Sequence, residues 1–311
     1  MQQIFIGGCG RSGTTLLGSM LGSHSHCIAT PESKFVRKVY SHLLFAGGPV
    51  DGDNAWPRLR DDWGLRVWDV EVQSAPVPPG ASYPELIEGL VRRFAATRGR
   101  PDPDIWVDDT PGNVTHAGIL LSLFPAARLI HLVRDGRAVT ASVLPLDWGP
   151  NTAAAAAEWW ISRVTRGLAA EALFGASRSL RVHYEDLVLE PEETLRKICV
   201  FAGLEFEPDM VSGSGFDVPE YTRQQHRLVG QTPDRDRVLA WTHELRTRQI
   251  EIFEYRSWHM LQALGYEIVG DGPIRPPSPV ETLASATYEL VRDRINRFRL
   301  SRRRASLNET G

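Results

Sequence analysis

The sequence is poor in cysteine and lysine, and it lacks a long apolar run. Its three cysteines, Cys9, Cys27 and Cys199, are scattered among 311 residues. Disulfide scaffolds and zinc sites need paired or closely spaced ligands, so this set argues against both and fits a reducing compartment. No window reaches the length of a transmembrane helix. The net charge of −3 gives no indication of a nucleic-acid-binding protein.

The amino-terminal residues carry no recognisable secretion signal. The chain runs directly into Ile4-Phe5-Ile6, without a basic region or a cleavable apolar stretch. We therefore expect a cytoplasmic protein. Lysine occurs only at positions 34, 38 and 197, so 32 of the 35 basic residues are arginine.

Short apolar runs rich in β-branched residues alternate with longer segments of helical periodicity. This alternation predicts an α/β fold of three layers, a P-loop-type parallel sheet flanked by helices. Strands are predicted at about residues 3–7, 104–108, 128–133 and 179–183. Helices are predicted at about residues 13–23, 32–45, 83–98, 113–123, 135–144, 152–174, 191–203 and 244–264.

Two glycine- and proline-rich segments, residues 46–82 and 205–240, interrupt this pattern. We interpret them as irregular flaps over a substrate, within one domain that covers residues 1–270. Residues 271–311 form a proline-rich linker and a basic amphipathic tail. The favoured interpretation of the tail is a solvated appendage, and contact with a membrane surface or a partner is the alternative.

The strongest motif follows the first predicted strand. A glycine-rich turn, Gly7–Gly13, leads into a helix that begins at Thr14-Thr15. Such a turn directs backbone N–H groups at one point, and the helix amino terminus adds positive potential, so together they form an anion site. The spacing from Gly8 matches the P-loop pattern GxxxxGK[ST], but Thr14 occupies the lysine position. Arg11 can instead reach a terminal anion, so the loop suits a phosphate or phosphosulfate better than ATP.

A second anion site is predicted where the strand at 128–133 ends. Arg134 stands at the carboxyl end of this strand, where ligands bind in open α/β sheets. Ser142 lies two helical turns further along the chain. Alone, Arg134-Asp135-Gly136-Arg137 is more often a surface turn with an ion pair. Together with the first loop, it indicates a site for a second phosphate.

In this order, the two motifs resemble those of the sulfotransferases that use 3′-phosphoadenosine 5′-phosphosulfate (PAPS). The resemblance is strongest to the branch of the tyrosylprotein sulfotransferases and their bacterial relatives. It continues through Leu180–Val188 and Leu264–Tyr266, and it covers about residues 3–268. It implies that a sulfuryl group passes from PAPS, the co-substrate, to an acceptor hydroxyl by in-line displacement without a metal. A small molecule, a glycolipid and a peptide all remain open as acceptors.

The resemblance also implies which residues contact the nucleotide. Gly10 and the loop Arg11-Ser12-Gly13-Thr14-Thr15 are expected to bind the 5′-phosphosulfate, with Arg11 also acting in catalysis. Arg134 and Ser142 are expected to bind the 3′-phosphate. Tyr184 matches a tyrosine near the nucleotide, although a core aromatic is nearly as good an interpretation. Arg227 is expected to supply a basic contact on the side of the 3′-phosphate.

Glu32 is the predicted general base for the acceptor hydroxyl. It follows Arg11 by 21 residues, and the related enzymes carry a catalytic glutamate at a matching distance. Without the resemblance, a role in the first turn of a helix would be the better interpretation. His24 and His26 are rivals, because histidine is the base in other sulfotransferase branches; their default role is capping or contact with solvent.

One position departs from the pattern of the family. Relatives often carry a lysine after the second sheet strand that is thought to stabilise the transferring group, and here Asp109 stands in its place. An ionised aspartate cannot donate a hydrogen bond to a sulfuryl oxygen. Either Arg11 or another residue supplies the charge, or Asp109 assists the base, or the enzyme is impaired; we favour the first. The rival functions are a P-loop nucleotide or small-molecule kinase and a non-catalytic nucleotide-binding relative.

Overall fold

Five strands form a parallel sheet within the first of two units of the chain. The structure is a computed structural model that describes residues 1–216, 230–231, 233–269 and 275–309, with the backbone alone for residues 300–309. The first unit comprises Met1–Val133 and Arg166–Asp234. The second comprises Arg134–Thr165 and Arg235–Gly311.

The sheet has the strand order β2-β3-β1-β4-β5, and every neighbouring pair is parallel. Its strands are β1 (Gln2–Gly8), β2 (Cys27–Thr30), β3 (Ile105–Asp108), β4 (Arg128–Val133) and β5 (Ser179–His183). The predicted α/β class is thereby confirmed. The strand list was incomplete, because the segment of β2 contains one large apolar residue, Ile28, and therefore does not stand out as an apolar run.

Helices fill the segments between the strands and follow the last strand. They are α1 (Thr14–Gly22), α2 (Lys34–Phe45), α3 (Gly52–Leu59), α4 (Trp63–Arg66), α5 (Tyr83–Thr97), α6 (Ala117–Leu123), α7 (Gly136–Val143), α8 (Ala153–Phe174), α9 (Tyr184–Leu189), α10 (Pro191–Ala202), α11 (Trp241–Glu244), α12 (Thr247–Ala263) and α13 (Pro279–Glu309). Short 3₁₀ helices cover Pro111–His116, Pro208–Ser212 and Arg235–Arg237.

Alternating side chains of the strands enter two apolar clusters, one on each face of the sheet. In β1, Phe5 belongs to the cluster that includes α2, α5 and α6, whereas Ile4 and Ile6 belong to the cluster that includes α1 and α10. Both faces are buried because each crossover helix of a parallel sheet packs on one face. The result is the three-layer arrangement that the sequence predicts.

The first flap, residues 46–82, is more regular than its composition suggests. It contains α3 and α4, and Trp68 is fully buried against Phe35 and Phe94. Two short helices, each capped by an aspartate, lie within the predicted flap, and the rest of the segment consists of turns and irregular backbone. Trp68 is a core residue, and its indole Nε1 donates to the carbonyl of Pro31 at 3.0 Å.

Candidate active site

The carboxyl ends of three neighbouring strands bring the first group of predicted site residues to one edge of the sheet. The glycine-rich loop follows β1, Glu32 lies two residues after β2, and Asp108 and Asp109 end β3 and begin the next turn. Since β1 lies between β3 and β4, the loop stands where the strand order reverses. Open α/β sheets bind their ligands at this position.

The loop after β1 has the backbone geometry of an anion site. Arg11 and Gly13 both adopt the left-handed region, with φ of 69° and 95°, and the N–H of Ser12 donates to the carbonyl of Cys9 at 3.2 Å. Left-handed residues interspersed in a turn point consecutive N–H groups toward one side. A non-glycine residue with positive φ is uncommon, and such strain concentrates at functional sites.

Two buried side chains complete the loop. The Ser12 hydroxyl is buried, and it has no hydrogen-bond partner among the described residues. A buried hydroxyl without a partner is costly, so an anion bound in the loop would satisfy it. The ring of Tyr184 lies against Gly13, where a Cβ would approach Cδ2 to 2.6 Å. Glycine is required at position 13 both by its backbone conformation and by this aromatic neighbour.

A network of hydrogen bonds fixes the segment that carries Glu32. Asp108 is fully buried and accepts from the Ser33 hydroxyl and from the N–H and hydroxyl of Thr110, the latter two at 2.9 and 2.6 Å. The N–H of Ser33 donates to the Thr110 hydroxyl at 2.9 Å. The side chain of Glu32 is partly exposed and forms an ion pair with Lys34. The backbone next to Glu32 is therefore anchored to β3, and its carboxylate pairs with the solvent-exposed Lys34.

Asp109 is the feature of this site that the sequence did not explain. It is buried, hydrogen-bonds to Thr15, and has one oxygen, Oδ1, without a partner among the described residues. Burial raises the pKa of Asp109 well above its usual range, and the nearby charges of Glu32 and Asp108 raise it further. Both effects favour the neutral form of Asp109, and a neutral carboxyl group can donate a hydrogen bond.

Asp109 is therefore unable to donate a hydrogen bond to a sulfuryl oxygen only in its ionised form. The three carboxyl groups, Glu32, Asp108 and Asp109, are visible in the sequence. Only the fold shows that they lie at the same edge of the sheet. The pKa of Asp108 is also raised, mainly by burial and against the hydrogen bonds from Ser33 and Thr110.

The rival bases, His24 and His26, stand at the opposite edge of the sheet. They precede β2, whose carboxyl end carries Glu32. His24 is buried, with Nε2 2.8 Å from the carbonyl oxygen of Glu205, and His26 Nδ1 lies 2.5 Å from Asp104. Both histidines therefore have structural partners away from the loop.

The predicted second anion site belongs to the second unit, where Arg134 is buried and its Nη2 donates to the carbonyl of Arg237 at 3.2 Å. The indole of Trp160 donates to the carbonyl of Arg134 at 3.0 Å. Ser142 is partly buried on α7.

The turn itself is held by a buried ion-pair network. Asp135 accepts from the N–H of Arg137 at 2.8 Å, and the Arg137 guanidinium pairs with Asp135 and Glu254 at 2.7 and 2.5 Å. Arg137 also lies over the ring of Trp241. Arg137 is therefore an anchor of the turn, whereas Arg134 and Ser142 remain the predicted phosphate ligands.

Arg227, the remaining predicted contact, lies outside the described residues. Within the described part of the chain, no three His, Cys, Asp or Glu side chains are grouped as metal ligands would be.

Comparison with known proteins gives a consistent result. A family model described as "Sulfotransferase family" matches residues 3–208. Protein-tyrosine sulfotransferase A of Caenorhabditis elegans is 23% identical over 92% of this chain and 73% of its own length. Protein-tyrosine sulfotransferase of Drosophila melanogaster is 27% identical over 65% of this chain, which spans only 38% of that protein.

A solved structure shares the fold. The sulfotransferase domain of the Synechococcus PCC 7002 olefin synthase superposes with a TM-score of 0.57 at 23% identity, and the match covers 86% of this chain and 94% of that domain.

Proposed function

Since the chain belongs to the sulfotransferase family, we propose that it transfers a sulfuryl group from PAPS to an acceptor hydroxyl, with Glu32 as the general base. The observation that carries this proposal is the loop of β1. It joins left-handed backbone at Arg11 and Gly13 to a buried, unpartnered Ser12 hydroxyl, and Glu32 lies at the same edge of the sheet. Thr14 in the lysine position of the P-loop pattern argues against a kinase.

The proposed reaction is an in-line displacement at sulfur. The acceptor oxygen attacks the sulfur atom while the bond from sulfur to the phosphate oxygen breaks. The bonding electron pair leaves with adenosine 3′,5′-bisphosphate, and the proton of the acceptor passes to Glu32. Positioning and electrostatic stabilisation supply most of the catalysis in such a reaction.

The predicted residues that the structure describes have the following roles in this proposal. The backbone N–H groups of Gly10–Thr15 and the Arg11 guanidinium hold the phosphosulfate, and Tyr184 packs beside the loop. Arg134 and Ser142 hold the 3′-phosphate. Asp109, whose burial raises its pKa and favours the neutral form, donates to a sulfuryl oxygen from Oδ1, which compensates for the lysine of the related enzymes.

The acceptor class is best approached through the relatives. Several of them are protein-tyrosine sulfotransferases, so a tyrosine-containing peptide is a first candidate, beside phenols and glycolipid alcohols. The protein would be incubated with radiolabelled PAPS and each acceptor, and the products analysed by mass spectrometry for an added sulfo group.

The base is tested by Glu32→Gln, which keeps the size of the side chain and removes its basicity. We expect transfer to fall by about 10²- to 10⁴-fold, with little change in affinity for adenosine 3′,5′-bisphosphate. Glu193→Gln, an exposed carboxylate on α10 that pairs with Lys197, is the matched control and should retain full activity. Equal rates for Glu32→Gln and the unmodified protein would exclude Glu32 as the base. Tighter binding of magnesium-ATP than of adenosine 3′,5′-bisphosphate would contradict PAPS as the sulfuryl donor.

A further inference from the structure

The long helix α13 turns a polar face toward its own unit. Residues at spacings of three and four along the helix are partly or fully buried there, and every one of them is polar. They are Glu281, Ser285, Glu289, Arg292, Asp293 and Asn296. Amphipathic helices of folded domains ordinarily bury the apolar face and expose the polar one. In α13 this arrangement is inverted.

Specific hydrogen bonds hold the polar face in place. The Glu281 carboxylate accepts from Nε and Nη2 of Arg248 at 2.8 and 2.9 Å. The N–H and side-chain amide of Asn151 donate to Glu289 at 3.0 and 2.9 Å, and Asn296 donates to Asn151 Oδ1 at 3.0 Å. The orientation of α13 is therefore fixed by polar contacts at both ends of this stretch.

The opposite face of α13 is apolar and exposed. Among the side chains described up to Arg299, seven large apolar ones lie on it, with between 39 and 77% of each exposed: Val280, Leu283, Tyr288, Leu290, Val291, Ile295 and Phe298. A continuous exposed stripe of this size is uncommon in a soluble domain and marks a surface that contacts something else. Because α13 is docked through its other face, a rotation of the helix cannot bury this stripe without breaking the polar contacts.

Positive charge accompanies the stripe at its carboxyl-terminal half. Arg294, Arg297 and Arg299 are exposed there, and Arg297 pairs with Asp293. The remainder of the helix carries Arg302-Arg303-Arg304 in its sequence. Residues 279–309 contain seven arginines and four acidic residues, a net charge of +3 in a chain of net charge −3. Two of those acidic residues, Glu281 and Glu289, already accept hydrogen bonds within the unit.

We propose that α13 lies along the surface of an anionic lipid bilayer, with its apolar face in the boundary between headgroups and acyl chains and its arginines at the phosphates. Interfacial helices combine these two features, an apolar face and basic residues at its flanks. Among the described helices, none is long and apolar enough to cross a bilayer. A second copy of α13 fits the apolar face less well. In a parallel pair the two basic halves would face each other, and in an antiparallel pair each basic half would face Glu281 and Glu289, which already accept hydrogen bonds within their own unit.

Binding to vesicles tests this proposal with the full-length protein. Sedimentation would be measured with vesicles of phosphatidylcholine alone and of phosphatidylcholine mixed with phosphatidylglycerol. We expect partitioning only onto the anionic vesicles, weakening as salt screens the arginines. The double variant Leu283→Glu/Val291→Glu should lower the partition coefficient by about tenfold or more, since it removes apolar surface and adds charge of the wrong sign.

The matched control is Phe45→Glu, which changes the most exposed large apolar side chain of the first unit and should leave partitioning unchanged. Circular dichroism checks that each variant is folded, and Arg294→Glu/Arg297→Glu provides a second variant that leaves the apolar stripe intact. Equal binding to neutral and anionic vesicles, or to neither, would overturn the proposal. So would a dimer in light scattering that Leu283→Glu/Val291→Glu dissociates, because the occupant would then be a second copy.

Discussion

At the scale of single residues, Asp109 gives the most specific prediction. Its pKa is raised by burial and by the charges of Glu32 and Asp108, so the native protein holds a proton there that the unfolded chain releases above its ordinary pKa of 3.8. The contribution of this group to stability is therefore full below that value and is lost as the pH rises through the elevated native pKa. Asp109→Asn cannot ionise, and we expect the free energy of unfolding to fall less steeply with pH in this variant.

The same variant tests the proposed role of Asp109 in transfer. An amide donates a hydrogen bond as a neutral carboxyl group does, so kcat at neutral pH should stay within a few-fold, whereas Asp109→Ala should lose much more. In the unmodified protein, kcat should decline as the pH rises through the elevated pKa of Asp109, and Asp109→Asn should lack this decline. Measurement of kcat and KM against pH decides the matter. Loss of activity in Asp109→Asn at every pH would show that a carboxylate is needed.

At the scale of elements, the packing of α8 against β4 depends on one glycine. A Cβ on Gly167 would lie 2.1 Å from Cε1 and Nε2 of the fully buried His131, whose Nδ1 is 2.6 Å from Glu171. We expect Gly167→Ala to destabilise the protein by about 1–3 kcal/mol, despite the better helix propensity of alanine. Gly118→Ala on α6 is the control, because its Cβ would meet only Leu173 at 4.0 Å. The free energies of unfolding of both variants would be measured in denaturant. Equal values for Gly167→Ala and Gly118→Ala would contradict the close packing of Gly167 against His131.

Several elements have bounds that could be predicted from the sequence. β4 and β5 have the predicted bounds, and α5 ends within one residue of its predicted end. β2 was missed because Ile28 is the one large apolar residue among its four, although this strand places Glu32 at the same edge of the sheet as the loop. The environment of Asp109 could not be predicted either, because its raised pKa depends on three segments that only the sheet topology brings together.

The tail shows a different limit of sequence reasoning. The sequence predicts an amphipathic tail, but a sequence pattern does not say which face of a helix is packed. The polar face is held by Arg248 and Asn151, which lie 33 and 138 residues from their glutamate partners in the sequence. Such distant partners cannot be identified from local periodicity.

At the scale of the whole molecule, each unit carries one of the two predicted anion sites, and the two predictions can be tested separately. The loop of the first unit is assigned the 5′ end of the nucleotide, and Arg134 and Ser142 of the second are assigned the 3′-phosphate. Ligands that carry only one of these groups can separate the two assignments. Arg11→Ala should lower the affinity for adenosine 5′-phosphate by about 10- to 100-fold, because one charge-assisted contact is lost. The affinity for adenosine 3′-phosphate should stay nearly unchanged.

Arg134→Ala should lower the affinity for adenosine 3′-phosphate and leave that for adenosine 5′-phosphate nearly unchanged. Both variants should lower the affinity for adenosine 3′,5′-bisphosphate. Calorimetric titration gives the affinities, and thermal unfolding with the bisphosphate gives an independent measure, since ligand that binds only the native state raises its stability. Ser142→Ala serves as a second variant at the 3′ end, because Arg134 also bonds to the backbone of Arg237. Arg196→Ala, an exposed arginine paired with Glu192, should change none of these affinities. If Arg134→Ala and Ser142→Ala weaken both monophosphates equally, or neither, the second unit does not read the 3′-phosphate.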